Sequence, residues 1–218
     1  MKLFFRNNGL SIVFFLLFII SLVGQAVTGL KEHNGELEEE GGQQLSMMQY
    51  LSSGHFLQAT FENWESEFLQ MALFVTLSIS LYQKGSSESK DPDAEEEVDR
   101  DPDPSRKDAP GPVQRGGWMS NLYSHSLCYT LWLLFLLSFL MHWRGSLIYY
   151  NEEQVLKGGA TEGYLQYLSN SRFWFESFQN WQSEYLSVFA VIVLTIFLRE
   201  KGSPQSKPVD APHSETGG

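Results

Sequence analysis

Apolar residues in this chain gather into long uninterrupted runs instead of alternating or forming a single helical stripe. Between Arg6 and Lys31 no residue carries a charge, and Leu10–Val23 reads LSIVFFLLFIISLV. At about 1.5 Å per residue, a helix over residues 10–30 crosses a hydrocarbon core of roughly 30 Å. A second run without Lys, Arg, Asp or Glu lies between Arg115 and Arg144, with Trp118, Tyr123 and Trp143 placed as interfacial anchors, and predicts a span over 122–143. Two shorter runs, Phe68–Gln83 and Tyr185–Leu198, are bounded by Glu67 and Lys84 and by Glu184 and Arg199. Adding the polar, aromatic turns FENWESE and FQNWQSE brings each to crossing length, over 61–83 and 178–199. The pattern predicts an all-α membrane protein with four transmembrane helices. The first run also fits a signal peptide, with Lys2 and Arg6 ahead of it and Gly24-Gln25-Ala26 as a cleavage site.

The chain aligns with itself at a shift of 117 positions, most clearly QYLSSGHFLQATFENWESEFL from Gln49 against QYLSNSRFWFESFQNWQSEYL from Gln166. The same shift pairs Asn34, Glu36, Gly41 and Gly42 with Asn151, Glu153, Gly158 and Gly159. Two helix–loop–helix repeats are expected, over 1–84 and 118–201. A helix pair returns to its starting side, so the repeats should insert in parallel, related by a pseudo-twofold axis along the membrane normal. That repetition, whose second apolar segment lies mid-chain, argues against the signal peptide.

Composition adds direction to this picture. The 218 residues carry a formal net charge of −11, and no Lys/Arg cluster could neutralise a row of phosphates, which excludes a nucleic-acid binder. Eleven of the 15 Lys and Arg residues fall at the N-terminus, between Lys84 and Arg115, or from Arg199 on, which predicts both termini in the cytoplasm. Glu32, Glu36, Glu38, Glu39 and Glu40 make the first external loop acidic, a solvated face or a weak collector of cations. Residues 85–117 and 202–218 hold too few apolar groups to repay the entropy of ordering, so a disordered acidic linker and a disordered tail are expected.

For helices starting near Thr60 and Ser177 as N-caps, Asn63, Ser66, Glu67 and Gln70 share one face, repeated as Asn180, Ser183, Glu184 and Ser187. Trp64 and Trp181 fall on another face, as interfacial anchors. The Asn63/Ser66/Glu67 and Asn180/Ser183/Glu184 faces either glue helices together or, with Glu67 and Glu184 converging on the pseudo-twofold axis, hold a proton or cation. Glu62 and Glu65 become Gln179 and Gln182 in the second repeat, which marks them as dispensable surface carboxylates. His55 aligns with Arg172 and reads as a surface position, His125 and His142 as interfacial anchors, and Cys128 as a small packing residue. The chain contains no phosphate-binding glycine loop, H-E-x-x-H motif or nucleophile elbow, so no catalytic residue, metal site or cofactor is expected and an enzyme is not.

The NGL segment before the first span, the paired F-x-N-W-x-S-E motifs and the K-G-S-x-x-S-K ends resemble an uncharacterised family of small bacterial integral membrane proteins known only as a domain of unknown function. The resemblance implies the bacterial cytoplasmic membrane and supplies no activity. Two functions are therefore expected: a structural or interaction component, with the bilayer, a homo-oligomer or a protein bound through linker or loops as partners, or a small proton or cation transporter.

Overall fold

The computed structural model describes residues 2–217; Met1 and Gly218, the outermost residues of the first expected repeat and of the expected tail, lie outside them. Among the described residues there are helices and turns but no strand. The helices are α1 (Lys2–Glu39), α2 (Met47–Tyr50), α3 (Gly54–Leu77), α4 (Gly111–Arg115), α5 (Gly117–Ser124), α6 (Ser126–Leu156), α7 (Tyr164–Tyr167) and α8 (Ser171–Phe197). Two compact units divide the chain, one of Met1–Glu62 with Phe139–Trp174 and the other of Asn63–Ser138 with Phe175–Gly218.

Three helices, α1, α6 and α8, are long and apolar enough to cross a membrane. The fourth expected span, 61–83, is not among them. α3 carries Glu62, Glu65 and Glu67 and stops at Leu77, so its uncharged part from Phe68 covers only about 15 Å, half of a hydrocarbon core. In α8 Gln179 and Gln182 replace two of those carboxylates and the helix continues to Phe197. Three such helices do not supply the pair of spans per repeat on which the parallel insertion of the repeats rested.

Neither α3 nor α8 begins where Thr60 and Ser177 would cap it; each starts six residues earlier, at Gly54 and Ser171. Ser53 Oγ accepts from Phe56 N at 3.2 Å and Asn170 Oδ1 from Arg172 N at 3.0 Å, so these side chains take the orphan donors of the first turn. Thr60 and Ser177 are buried inside the helices instead.

In the first unit, α1 and α6 end in the same way. Gly41 and Gly158 adopt φ 77° and 70°, a left-handed conformation that costs glycine little. The next amide closes the helix, Gly42 N on Leu37 O at 2.6 Å and Gly159 N on Gln154 O at 2.7 Å. Asn34 then fastens the returning chain through both hydrogen bonds to Leu45, at 2.9 and 2.7 Å, and Asn151 fastens Glu162 at 2.9 and 2.8 Å. The aromatic residues Tyr50 and Tyr167 follow, each almost wholly buried. Tyr167 packs with Leu147 and Phe173 into a core that Phe139, Trp143 and Trp174 extend. His142 is fully buried with its ring 4.9 Å from Phe173, so it is a packing residue and not the expected interfacial anchor.

In the second unit Leu69, Ala72 and Leu131 are buried, and Thr76 ties α3 to α6 through the Trp132 indole at 3.2 Å and the Cys128 thiol at 3.2 Å. The acidic stretch after α3 contains turns and one 3-10 turn at Glu97–Asp99, and helical chain resumes at Gly111, ahead of the expected boundary, where Pro112 suits a first helical turn. In the segment after α8, Lys207 is buried and its ammonium donates to the carbonyls of Gly85, Pro212, His213 and Glu215.

Candidate functional site

The expected polar stripe lies in the second unit and spends much of its hydrogen-bonding capacity on its own backbone. Ser66, 2% exposed, donates to Asn63 O at 2.8 Å. Ser183 donates to Asn180 O and Ser187 to Glu184 O, both at 2.8 Å, and the Asn180 amide reaches Glu176 O at 3.0 Å. Asn63 and Glu67 are exposed, and Glu184 is half-buried within electrostatic range of Glu67. The two carboxylates are therefore near each other, on α3 and α8.

Glu65 overturns its expected role. It is fully buried and its Oε1 accepts from the Trp181 indole at 2.9 Å, so it is a helix-to-helix tie and not a dispensable surface group. Gln182 at the aligned position says nothing about the burial of Glu65 itself. Trp181 gains in Glu65 a protein partner besides its contact with Phe178, edge-on at 5.4 Å. Trp64 is half-buried.

A second constellation, in the first unit, was missed by sequence reasoning. The last turns of α1 present His33 and Glu36 three residues apart, and the first turn of α3 presents His55. His33 is 4% exposed, and the two imidazoles stack at 4.7 Å with an interplanar angle of 16°. His55 is thus no surface position. Tyr149 of α6 stands edge-on to both rings, at 5.7 and 5.0 Å, and its hydroxyl donates to Glu36 Oε2 at 3.2 Å. Nδ1 of His33 lies 3.5 Å from that oxygen. His55 Nδ1 is 3.0 Å from the Tyr50 hydroxyl, and its Nε2 faces Glu32 Oε2 at 3.7 Å. One donor atom from each of His33, Glu36 and His55 lies within 4.8 Å of the others. Beside them a cavity of about 300 Å³ is lined by His33, Glu36, Tyr149, Glu152 and Lys157.

Burial, with the neighbouring His33, pushes His55 below the usual histidine range despite Glu32 and Glu36. Burial, with those glutamates, raises the Tyr50 phenol to about 12. Tyr50 sits where only glycine fits beneath it: a Cβ on Gly29 would collide with its hydroxyl.

The signal that could have found this cluster was in the self-alignment. His55 and Glu36 correspond to Arg172 and Glu153, and in the second copy that pair is a salt bridge, with the Arg172 guanidinium also 4.8 Å above the Tyr149 ring. A neighbouring pair that changes its cationic member reads as contact, not as tolerance.

The family described as Domain of unknown function (DUF6766) matches residues 1–218. The chain belongs to it. DUF6766 carries no stated activity, so the chemistry of this member is argued from its own residues. No curated protein and no solved structure matches the chain.

Proposed function

We propose that this DUF6766 protein is a multi-pass structural or interaction component of the bacterial cytoplasmic membrane, with its N-terminus in the cytoplasm, and not an enzyme. One observation carries the reading: on the polar face expected to line a path, Ser66, Ser183 and Asn180 donate to their own helix backbones, and the helix-to-helix tie beside it is made by Glu65 with the Trp181 indole. Lys2 and Arg6, in the first turns of α1 ahead of its apolar run, support a cytoplasmic start, which puts the acidic end of α1 outside. The recurring glycine ends and Asn34/Asn151 fastenings support two copies of one helix–loop–helix unit. The acidic stretch after α3, with Asp91, Asp93 and Glu95–Glu97, suits a basic protein partner.

The second reading, a small proton or cation transporter, is favoured by the approach of Glu67 to Glu184. Proteoliposome flux separates the two. The structural reading expects no proton or potassium flux above that of empty vesicles. Flux that disappears in the Glu67→Gln, Glu184→Gln double variant, with helix content unchanged, would establish the transporter instead.

A further inference from the structure

We propose that His33, His55 and Glu36 bind a divalent transition-metal cation of the zinc class at the outer end of α1. The inference stands apart from the choice between structural component and transporter, because these residues lie beyond the apolar run of α1.

The donor set comes first. Two imidazoles and one carboxylate, each with a donor atom within 4.8 Å of the other two, are the ligand types that zinc and its neighbours prefer. Calcium and magnesium favour sites made of oxygen alone. A tetrahedral zinc site places its ligand atoms about 3.3 Å apart, so binding requires the stacked rings to swing inward by roughly an ångström. His33 and Glu36 end at the edge of a cavity of about 300 Å³, which leaves room for their part of that movement and for water to complete the coordination.

The outer shell is already arranged. The Tyr50 hydroxyl at 3.0 Å from His55 Nδ1 takes up that nitrogen and turns Nε2 towards Glu32 and the cluster, and Tyr149 holds Glu36 Oε2. Partners of this kind fix the tautomer and orientation of metal-bound histidine and carboxylate.

The decisive observation is the second copy. There Glu153 occupies the place of Glu36, and Arg172, in the place of His55, sits on it as a permanent cation. The first copy keeps the carboxylate and replaces the guanidinium with an imidazole beside a second imidazole. A metal ion satisfies the same carboxylate while using both rings as neutral donors. Glu38, Glu39 and Glu40 next to it raise the local concentration of cations.

The test uses the full chain in detergent, without added histidines, stripped by chelator and then titrated with zinc against a chromophoric competitor and with cobalt by its visible absorption. One bound ion per chain is expected. Affinity should fall at least about tenfold in His33→Gln and in Glu36→Gln, and stay unchanged in His125→Gln. His55→Arg, which copies the second arrangement, should abolish binding while keeping helix content and the thermal midpoint of the metal-free protein, so that loss of metal is not loss of fold. No zinc retained by the unmodified chain, or affinity in His33→Gln and His55→Arg equal to that of the unmodified chain, would overturn the site.

Discussion

Glu36 and Glu153 stand at aligned places near the ends of α1 and α6, and their surroundings differ first in the groups that meet the carboxylate. Glu153 meets Arg172 and, at 3.2 Å, Lys157, whereas Glu36 meets His33, His55 and the Tyr149 hydroxyl. The frame around them is shared: a glycine pair closes each helix, an asparagine clamps the return, and a tyrosine is buried behind it. Even the tyrosines part company only at the hydroxyl. Tyr167 bonds Ser146 at 2.7 Å, while Tyr50, above Gly29, turns to His55. The backbone frame is thus set by packing and turn chemistry, and the charge it encloses is free to vary. Glu153 has cations of its own in Arg172 and Lys157, and Glu36 has two imidazoles.

The largest effects should come from breaking what the copies share. Tyr50→Ala and Tyr167→Ala should each cost about 3–5 kcal/mol, read as a lower thermal midpoint in detergent, and a clear inequality between them would show that one frame alone is structural. Next comes the charge that distinguishes them. Arg172→His removes the guanidinium from Glu153 and should cost about 1–3 kcal/mol, whereas His55→Arg should cost little without metal; the reverse order would sink the idea that Arg172 is the cation the first copy lacks. Asn34→Ala and Asn151→Ala each lose two hydrogen bonds and should cost about 1–2 kcal/mol, with hydrogen exchange faster at Leu45 and Glu162 respectively.

The smallest effect is a pH dependence. In the folded chain the Tyr50 phenol keeps its proton up to about 12, while the unfolded chain releases it near 10. The folded state therefore holds the extra proton in that window, and stability is full below it and declines as pH rises through it. Phenolate absorbance that shows every tyrosine ionising near 10 before unfolding would contradict the burial of Tyr50.

Much of the architecture could be read from the chain alone. Runs of residues such as Leu10–Val23 are long enough that no folding context changes their helical, membrane-suited character. What failed were decisions that depend on single side chains. The starts of α3 and α8 were placed at Thr60 and Ser177 because hydroxyls there precede apolar residues, but Ser53 and Asn170 compete for the same task and win. The crossing expected from α3 failed because its apolar half is too short once three carboxylates are counted. At the sites, Ser66 and Ser183 were legible as polar but not as bonded to their own helices. Glu65 and His55 share one lesson: a difference between aligned positions is not freedom, since Glu65 is fully buried and His55 and Arg172 stand by the aligned carboxylates Glu36 and Glu153.

α1 is continuous from Lys2 to Glu39, about 57 Å of helix around a bilayer core of roughly 30 Å. It is a stiff rod with the lipid-suited segment at one part and His33 and Glu36 on its final turns. Because the rod is one helix, His33 and Glu36 stand at fixed heights of about 4.5 and 9 Å beyond Leu30, the last residue before the first charge at Lys31, whatever lipid surrounds the apolar run.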